Sequence, residues 1–94
     1  MATVVIPNWN GMQWLDGCLG ALARQDTTAF VTIVVDNGST DGSVAFIERQ
    51  YPAVEVIRLA GNTGFANAAN VGISKASTPY VVLLNADTVA FPDF

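Results

Sequence analysis

Two apolar runs in this 94-residue chain end on acid-bearing polar turns. Ile33-Val34-Val35 leads into Asp36-Asn37-Gly38-Ser39-Thr40-Asp41, and Val81-Val82-Leu83-Leu84 leads into Asn85-Ala86-Asp87-Thr88. Carboxylates at strand ends belong to the rim where rigid strands meet loops, and in open α/β sheets that rim is where ligands bind. An acid in such a place can accept hydrogen bonds from a ribose or a base. Asp36 is read in that way. The bland alternative is a turn over Asp36-Asn37-Gly38, with Ser39, Thr40 and Asp41 capping the next helix. Asp41 is assigned to the cap, and since capping is then provided for, Asp36 is assigned to the ligand. Asn85-Ala86-Asp87 taken alone is a turn signal. Beside a second strand-end acid it becomes a candidate cation site, because magnesium and manganese take oxygen ligands and magnesium often shares one or two carboxylates with substrate phosphates.

Between the two acids lies Gly61-Asn62-Thr63-Gly64-Phe65-Ala66-Asn67-Ala68-Ala69-Asn70-Val71-Gly72. Asn67 and Asn70 are spaced to share a face at a helix start, where amides can read a base or sugar and free N–H groups favour an anion. An equally weighted reading is a small-residue packing helix whose asparagines bond to nearby backbone. Three phosphate-handling folds lose ground. The loop after the first strand is Pro7-Asn8-Trp9-Asn10-Gly11 rather than G-x-G-x-x-G, and no Lys precedes Lys75 to complete a P-loop. A receiver domain would carry its acids after the first and third strands.

Composition narrows the chemistry further. The chain is 51% hydrophobic and 13% charged with a formal net charge of −4, which describes a buried sheet and provides no basic footprint for nucleic acid. It contains no His and one Cys, so a Cys/His zinc site, a His-dependent triad and an internal disulfide are all excluded. Cys18 shares helical spacing with Leu15, Leu19 and Leu22 and reads as a core thiol. A single domain is expected at this length. With no signal-peptide pattern and no apolar run near the ~20 residues of a membrane span, the expected location is the cytoplasm.

The elements that must position these residues follow from periodicity and breakers. Strands are expected over residues 3–6, 30–35, 54–59 and 80–84, and helices over 12–23, 42–50 and 64–76. The third strand alternates apolar and charged residues, which predicts an edge position. The order βαβαβαβ selects a three-layer α/β/α architecture with a mainly parallel sheet.

Four segments in this order and spacing resemble the family 2 inverting glycosyltransferases, which use the GT-A fold, and especially their rhamnosyltransferase-like branch. They are Val5-Ile6-Pro7-Asn8-Trp9-Asn10-Gly11, Val35 through Ser43, Asn62 through Gly72, and Leu84-Asn85-Ala86-Asp87-Thr88, so the likeness covers essentially the whole chain. The resemblance implies a nucleotide-diphosphate sugar donor, a dTDP- or UDP-sugar, with the backbone near Pro7, Asn8 and Trp9 and the carboxylate of Asp36 holding base and ribose. Asn37, Gly64, Asn67, Asn70, Asn85 and Ala86 complete the expected donor contacts. Asp87 takes the family's D-x-D position as ligand of a divalent metal, Mg or Mn, with Asn85 in place of the first acid. The acceptor implied is a glycan or a lipid-linked glycan, and the full-length enzyme is expected at the inner face of the cell membrane. Relatives continue past the metal motif into the acceptor site and the catalytic base. This chain is therefore expected to be the nucleotide-binding portion, with its base beyond residue 94, unable to transfer sugar alone. A strand order 3-2-1-4 would leave the fourth strand as an edge through which the chain self-associates. A non-catalytic nucleotide-binding or assembly module is the alternative from a different class.

Overall fold

The computed structural model describes residues 2–24, 30–61 and 63–84. Along the chain these form β1 (Ala2–Asn8), α1 (Met12–Ala23), β2 (Phe30–Asp36), α2 (Ser43–Gln50), β3 (Glu55–Arg58), α3 (Phe65–Lys75) and β4 (Tyr80–Leu83). The strands pair in parallel in the order β3-β2-β1-β4. Alternate side chains of a strand point to opposite faces, and the two central strands are apolar on both. Val4, Ile6 and Val34 pack with Leu15, Cys18, Leu19 and Leu22 of α1 and with Ile47 of α2. Val5, Ile33 and Val35 pack on the other face with Ala68 of α3. The result is the expected three-layer α/β/α arrangement, with Cys18 buried in the core.

Parallel crossovers are right-handed. With α1 and α2 on one face, the chain steps from β1 to β2 to β3 in one direction. Sending α3 over the opposite face brings β4 back to the free side of β1. At such a reversal the loops leaving neighbouring strands diverge, and a crevice opens above their carboxyl ends.

β3 lies at the sheet edge as its charged residues predicted, yet both of its faces are covered: Val56 packs on the α1–α2 side and Ile57 on the α3 side. β1 runs two residues further than the sequence suggested, since Pro7 pairs with Val35 and Asn8 with Asp36. A proline inside a strand normally removes a ladder bond. Here the Leu84 N–H donates to Val5 O and the Asn37 N–H to Asn8 O. Residue 7 therefore shares its side with residue 5 and faces beyond the last paired residue of β4, so the absent N–H interrupts no bond to β2. The second helix starts at Ser43, with Gly42 at its N-cap in the left-handed region at φ 86°.

The small residues of α3 serve the sheet. Ala68, Ala69 and Gly72 are buried, and a Cβ on Gly72 would press into Val5 Cγ1 and come within 3.0 Å of Val35 Cγ2. No helix among the described residues is long and apolar enough to cross a membrane.

Candidate functional site

The loops leaving β1 and β2 are fastened to each other by polar side chains. Asp36 is buried, 3% exposed. Its Oδ1 accepts from Asn8 Nδ2 at 2.9 Å and its Oδ2 from the Ser39 N–H at 2.9 Å. Ser39 Oγ accepts from Asn8 Nδ2 at 3.2 Å and from the Asn10 N–H at 2.8 Å, and Asn10 Oδ1 accepts from the Thr40 N–H at 2.8 Å. Asn10 holds a left-handed conformation, φ 49°, which Asn tolerates better than most residues. Asp41 continues the seam: its Oδ2 accepts from the Met12 N–H at 2.9 Å, and its Oδ1 from the Ser43 N–H at 3.0 Å and from the Ser43 hydroxyl. One carboxylate thus satisfies first-turn donors of both α1 and α2, although the N-cap of α2, expected among Ser39, Thr40 and Asp41, is Gly42 and makes no side-chain cap bond. Partial burial pushes the Asp41 carboxyl up, but the hydrogen bonds from the Ser43 side chain and from backbone N–H groups outweigh it and hold its pKa below the ordinary 3.8.

A second clamp ties β2 to the start of α3. Asn37 Oδ1 accepts from the Thr63 N–H at 2.9 Å and from Thr63 Oγ1 at 2.8 Å, while Asn37 Nδ2 donates to Gly64 O at 3.1 Å. Asn67 Nδ2 donates to Thr63 Oγ1 at 2.8 Å. Gly64, at φ 91° and ψ 155°, occupies a region open essentially to glycine, which lets the chain turn abruptly into the helix.

Between these two clamps, at the carboxyl ends of β1 and β2, is a cavity of about 200 Å³ walled by Pro7, Asn8, Trp9, Asn37 and Phe65. Trp9 is 55% exposed and Phe65 52%, whereas the two amides are buried. Asn8 Oδ1 is buried and has no donor among the described residues. The cavity therefore unites Pro7, Asn8, Trp9 and Asn37 from the sequence-based set. Asp36 lies behind its wall, holding Asn8. Gly64 supports the wall through Asn37, and Asn67 and Asn70 are exposed on α3 outside it. Asn85, Ala86 and Asp87, like Asn62, fall outside the described residues. Sequence reasoning missed Phe65, Ser39 and Asn10; only Phe65 carried a local signal, an aromatic residue directly after Gly64 in an otherwise small-residue segment.

A larger cavity, about 470 Å³, opens at the amino ends of the strands, where Leu19, Leu22, Phe30 and Val54 line it together with Ala23. It lies at the end of the sheet away from the polar loops.

The sequence matches the family described as "Glycosyl transferase family 2" over residues 3–94. The chain belongs to glycosyl transferase family 2. Among curated relatives of this family 2 chain is the teichoic acid poly(glycerol phosphate) polymerase of Staphylococcus epidermidis, 33% identical over 89 residues that cover 90% of this chain and 12% of the relative. S. aureus TarS in complex with UDP superimposes with a TM-score of 0.90 at 27% identity, covering 98% of this chain and 29% of that one. TarS is known also in complex with UDP-GlcNAc. A mannosyltransferase from Pyrobaculum calidifontis in complex with GDP-Man and Mn2+ superimposes with a TM-score of 0.87 at 27% identity, covering 94% of this chain and 28% of that one. This chain thus spans less than a third of the length of each of these relatives.

Proposed function

We propose that this family 2 chain binds the nucleoside diphosphate part of a sugar donor in the crevice above β1 and β2, as the donor-binding portion of an inverting, rhamnosyltransferase-like enzyme. The acceptor would be a glycan or lipid-linked glycan of the cell surface. The observation that carries this reading is the cavity at the carboxyl ends of β1 and β2, where two exposed aromatic side chains and two buried amides face one small volume. Flat apolar walls with fixed polar groups suit a nucleobase. The bound UDP, UDP-GlcNAc and GDP-Man of the structural neighbours support a nucleotide-sugar donor. Among the candidates, UDP or dTDP is the nucleotide favoured here.

The donor-set chemistry leaves room for a divalent metal. Among the described residues no group of three His, Cys, Asp or Glu side chains could hold one. The carboxylates of Asp36 and Asp41 are occupied by protein donors. The resemblance to family 2 assigns the ligand role to Asp87, in the family's D-x-D position, with Asn85 in place of the first acid. A magnesium or manganese ion held there would neutralise charge developing on the departing diphosphate. The chain's own residues bind and orient: Trp9 covers the base, while Asp36 and Ser39 hold the β1 and β2 loops in register.

The test is thermal unfolding with UDP, dTDP or GDP, with and without manganese, for the unsubstituted chain and for Asp87→Ala. At a ligand concentration 100 times Kd, stabilisation of about 2.7 kcal/mol is expected. Asp87→Ala should lose the manganese-dependent part alone. A folded protein that none of the three diphosphates stabilises would falsify the assignment. We infer further that β4, with Tyr80, Val81 and Leu83 exposed at the edge of the described sheet, pairs with a second copy of the chain. Sedimentation should then give a concentration-dependent dimer, and a monomer at every concentration would count against it.

A further inference from the structure

We propose that Phe65 stacks on the donor's nucleobase as an aromatic wall of the cavity additional to Trp9, and that Asn37 is the positioning residue that sets it there; the inference rests on the donor-site reading above. A single exposed aromatic residue on a protein surface carries no message. Two of them, on the β1 loop and at the head of α3, lining one cavity of about 200 Å³ with buried amides, do. α3 turns Ala68, Ala69 and Gly72 into the protein while Phe65, one turn earlier, stays 52% exposed. Aromatic faces meet the face of a base, and stacking of this kind tolerates any base because every base has a π-face.

The side chain of Asn37 is engaged in holding the residues immediately before Phe65. Its oxygen takes both donors of Thr63 and its amide nitrogen holds Gly64 O. Asn37 also follows Asp36, the residue that anchors Asn8 beside the cavity. The position of Phe65 is thus referred to the same strand end as the rest of the site. Asn67, through Thr63, reinforces the clamp from within α3.

The experiment measures UDP binding and, as a base-free probe, inorganic pyrophosphate binding with manganese, on the protein as its organism makes it, with circular dichroism confirming the fold of each variant. Phe65→Ala and Phe65→Leu should weaken UDP binding by about 5- to 100-fold, Phe65→Tyr by less than about twofold, and none should alter pyrophosphate binding. Phe65→Leu keeps an apolar side chain of similar size, so the question remains answerable if the alanine variant does not fold. Asn37→Ala should mimic Phe65→Ala on UDP, and the double variant should lose no more than the worse single one, since residues acting as a unit are not additive. UDP binding unchanged in Phe65→Leu overturns the proposal and leaves the donor site standing. Equal losses for UDP and pyrophosphate also overturn it, because Phe65 would then act through the packing of α3. If the unsubstituted protein binds no nucleotide, the donor-site reading fails and takes this inference with it.

Discussion

At the scale of single residues, the acids of the β2 loop act first on the protein itself. Asp41 is expected to contribute to stability through the helix starts it satisfies, and its depressed pKa fixes the direction of the pH effect. A carboxyl whose folded pKa lies below its unfolded value contributes stability that is complete above the unfolded value near 3.8 and is lost as pH falls through the folded one. Asp41→Ala should therefore lower stability by about 1 kcal/mol at pH 7, and the gap from the unsubstituted chain should narrow as pH falls below 3.8. Urea unfolding as a function of pH measures it. The engagement of Asp41 with the start of α2 was legible because it acts on Ser43, two residues away, although Gly42 takes the N-cap position itself. The attachment of Asp36 to Asn8 was not, because those residues meet only after β1 and β2 align, and the spacing of 28 positions carries no periodic signal. The same holds for Ser39 and Asn10, whose contacts lie between loops.

At the scale of elements, the hydrophobic pattern sufficed for the order and type of strands and helices, because buried parallel strands read as continuous apolar runs and the helices carry a 3.6-residue stripe. Boundaries at the site were harder. Pro7 looked like a strand breaker, and only the hydrogen-bond side it faces explains why β1 continues to Asn8. Phe65 escaped notice since its exposure depends on how α3 lies on the sheet. That lie is set by Gly72, whose missing side chain admits the valines of both central strands. Gly72→Ala is expected to destabilise the fold by about 1–3 kcal/mol despite its better helix propensity. Since 1 kcal/mol shifts Tm by roughly 4–8 °C in a domain of this size, a fall of several degrees by calorimetry is the expected result. A Gly72→Ala variant as stable as its parent would mean that α3 can slide away from the sheet without loss.

At the scale of the whole molecule, the strand order β3-β2-β1-β4 puts the reversal and the polar loops at one end of the sheet. The layered parallel sheet was expected from the βαβαβαβ order and the strand order from the resemblance, and the structure has both. The cavity draws its walls from positions 7–9, 37 and 65, one contribution from each successive βα unit. Consequently the binding surface has a birth date during synthesis. A ribosome-bound chain that has exposed only its first 50 residues carries the side chains that join the β1 and β2 loops, but it has no Phe65 and no Asn37–Thr63 clamp with which to grip a base. The nucleotide should arrive after α3 docks and hold the formed cavity together, without guiding its formation. In stopped-flow measurements UDP is expected to slow unfolding while leaving the refolding rate nearly unchanged, as for interactions that form after the transition state.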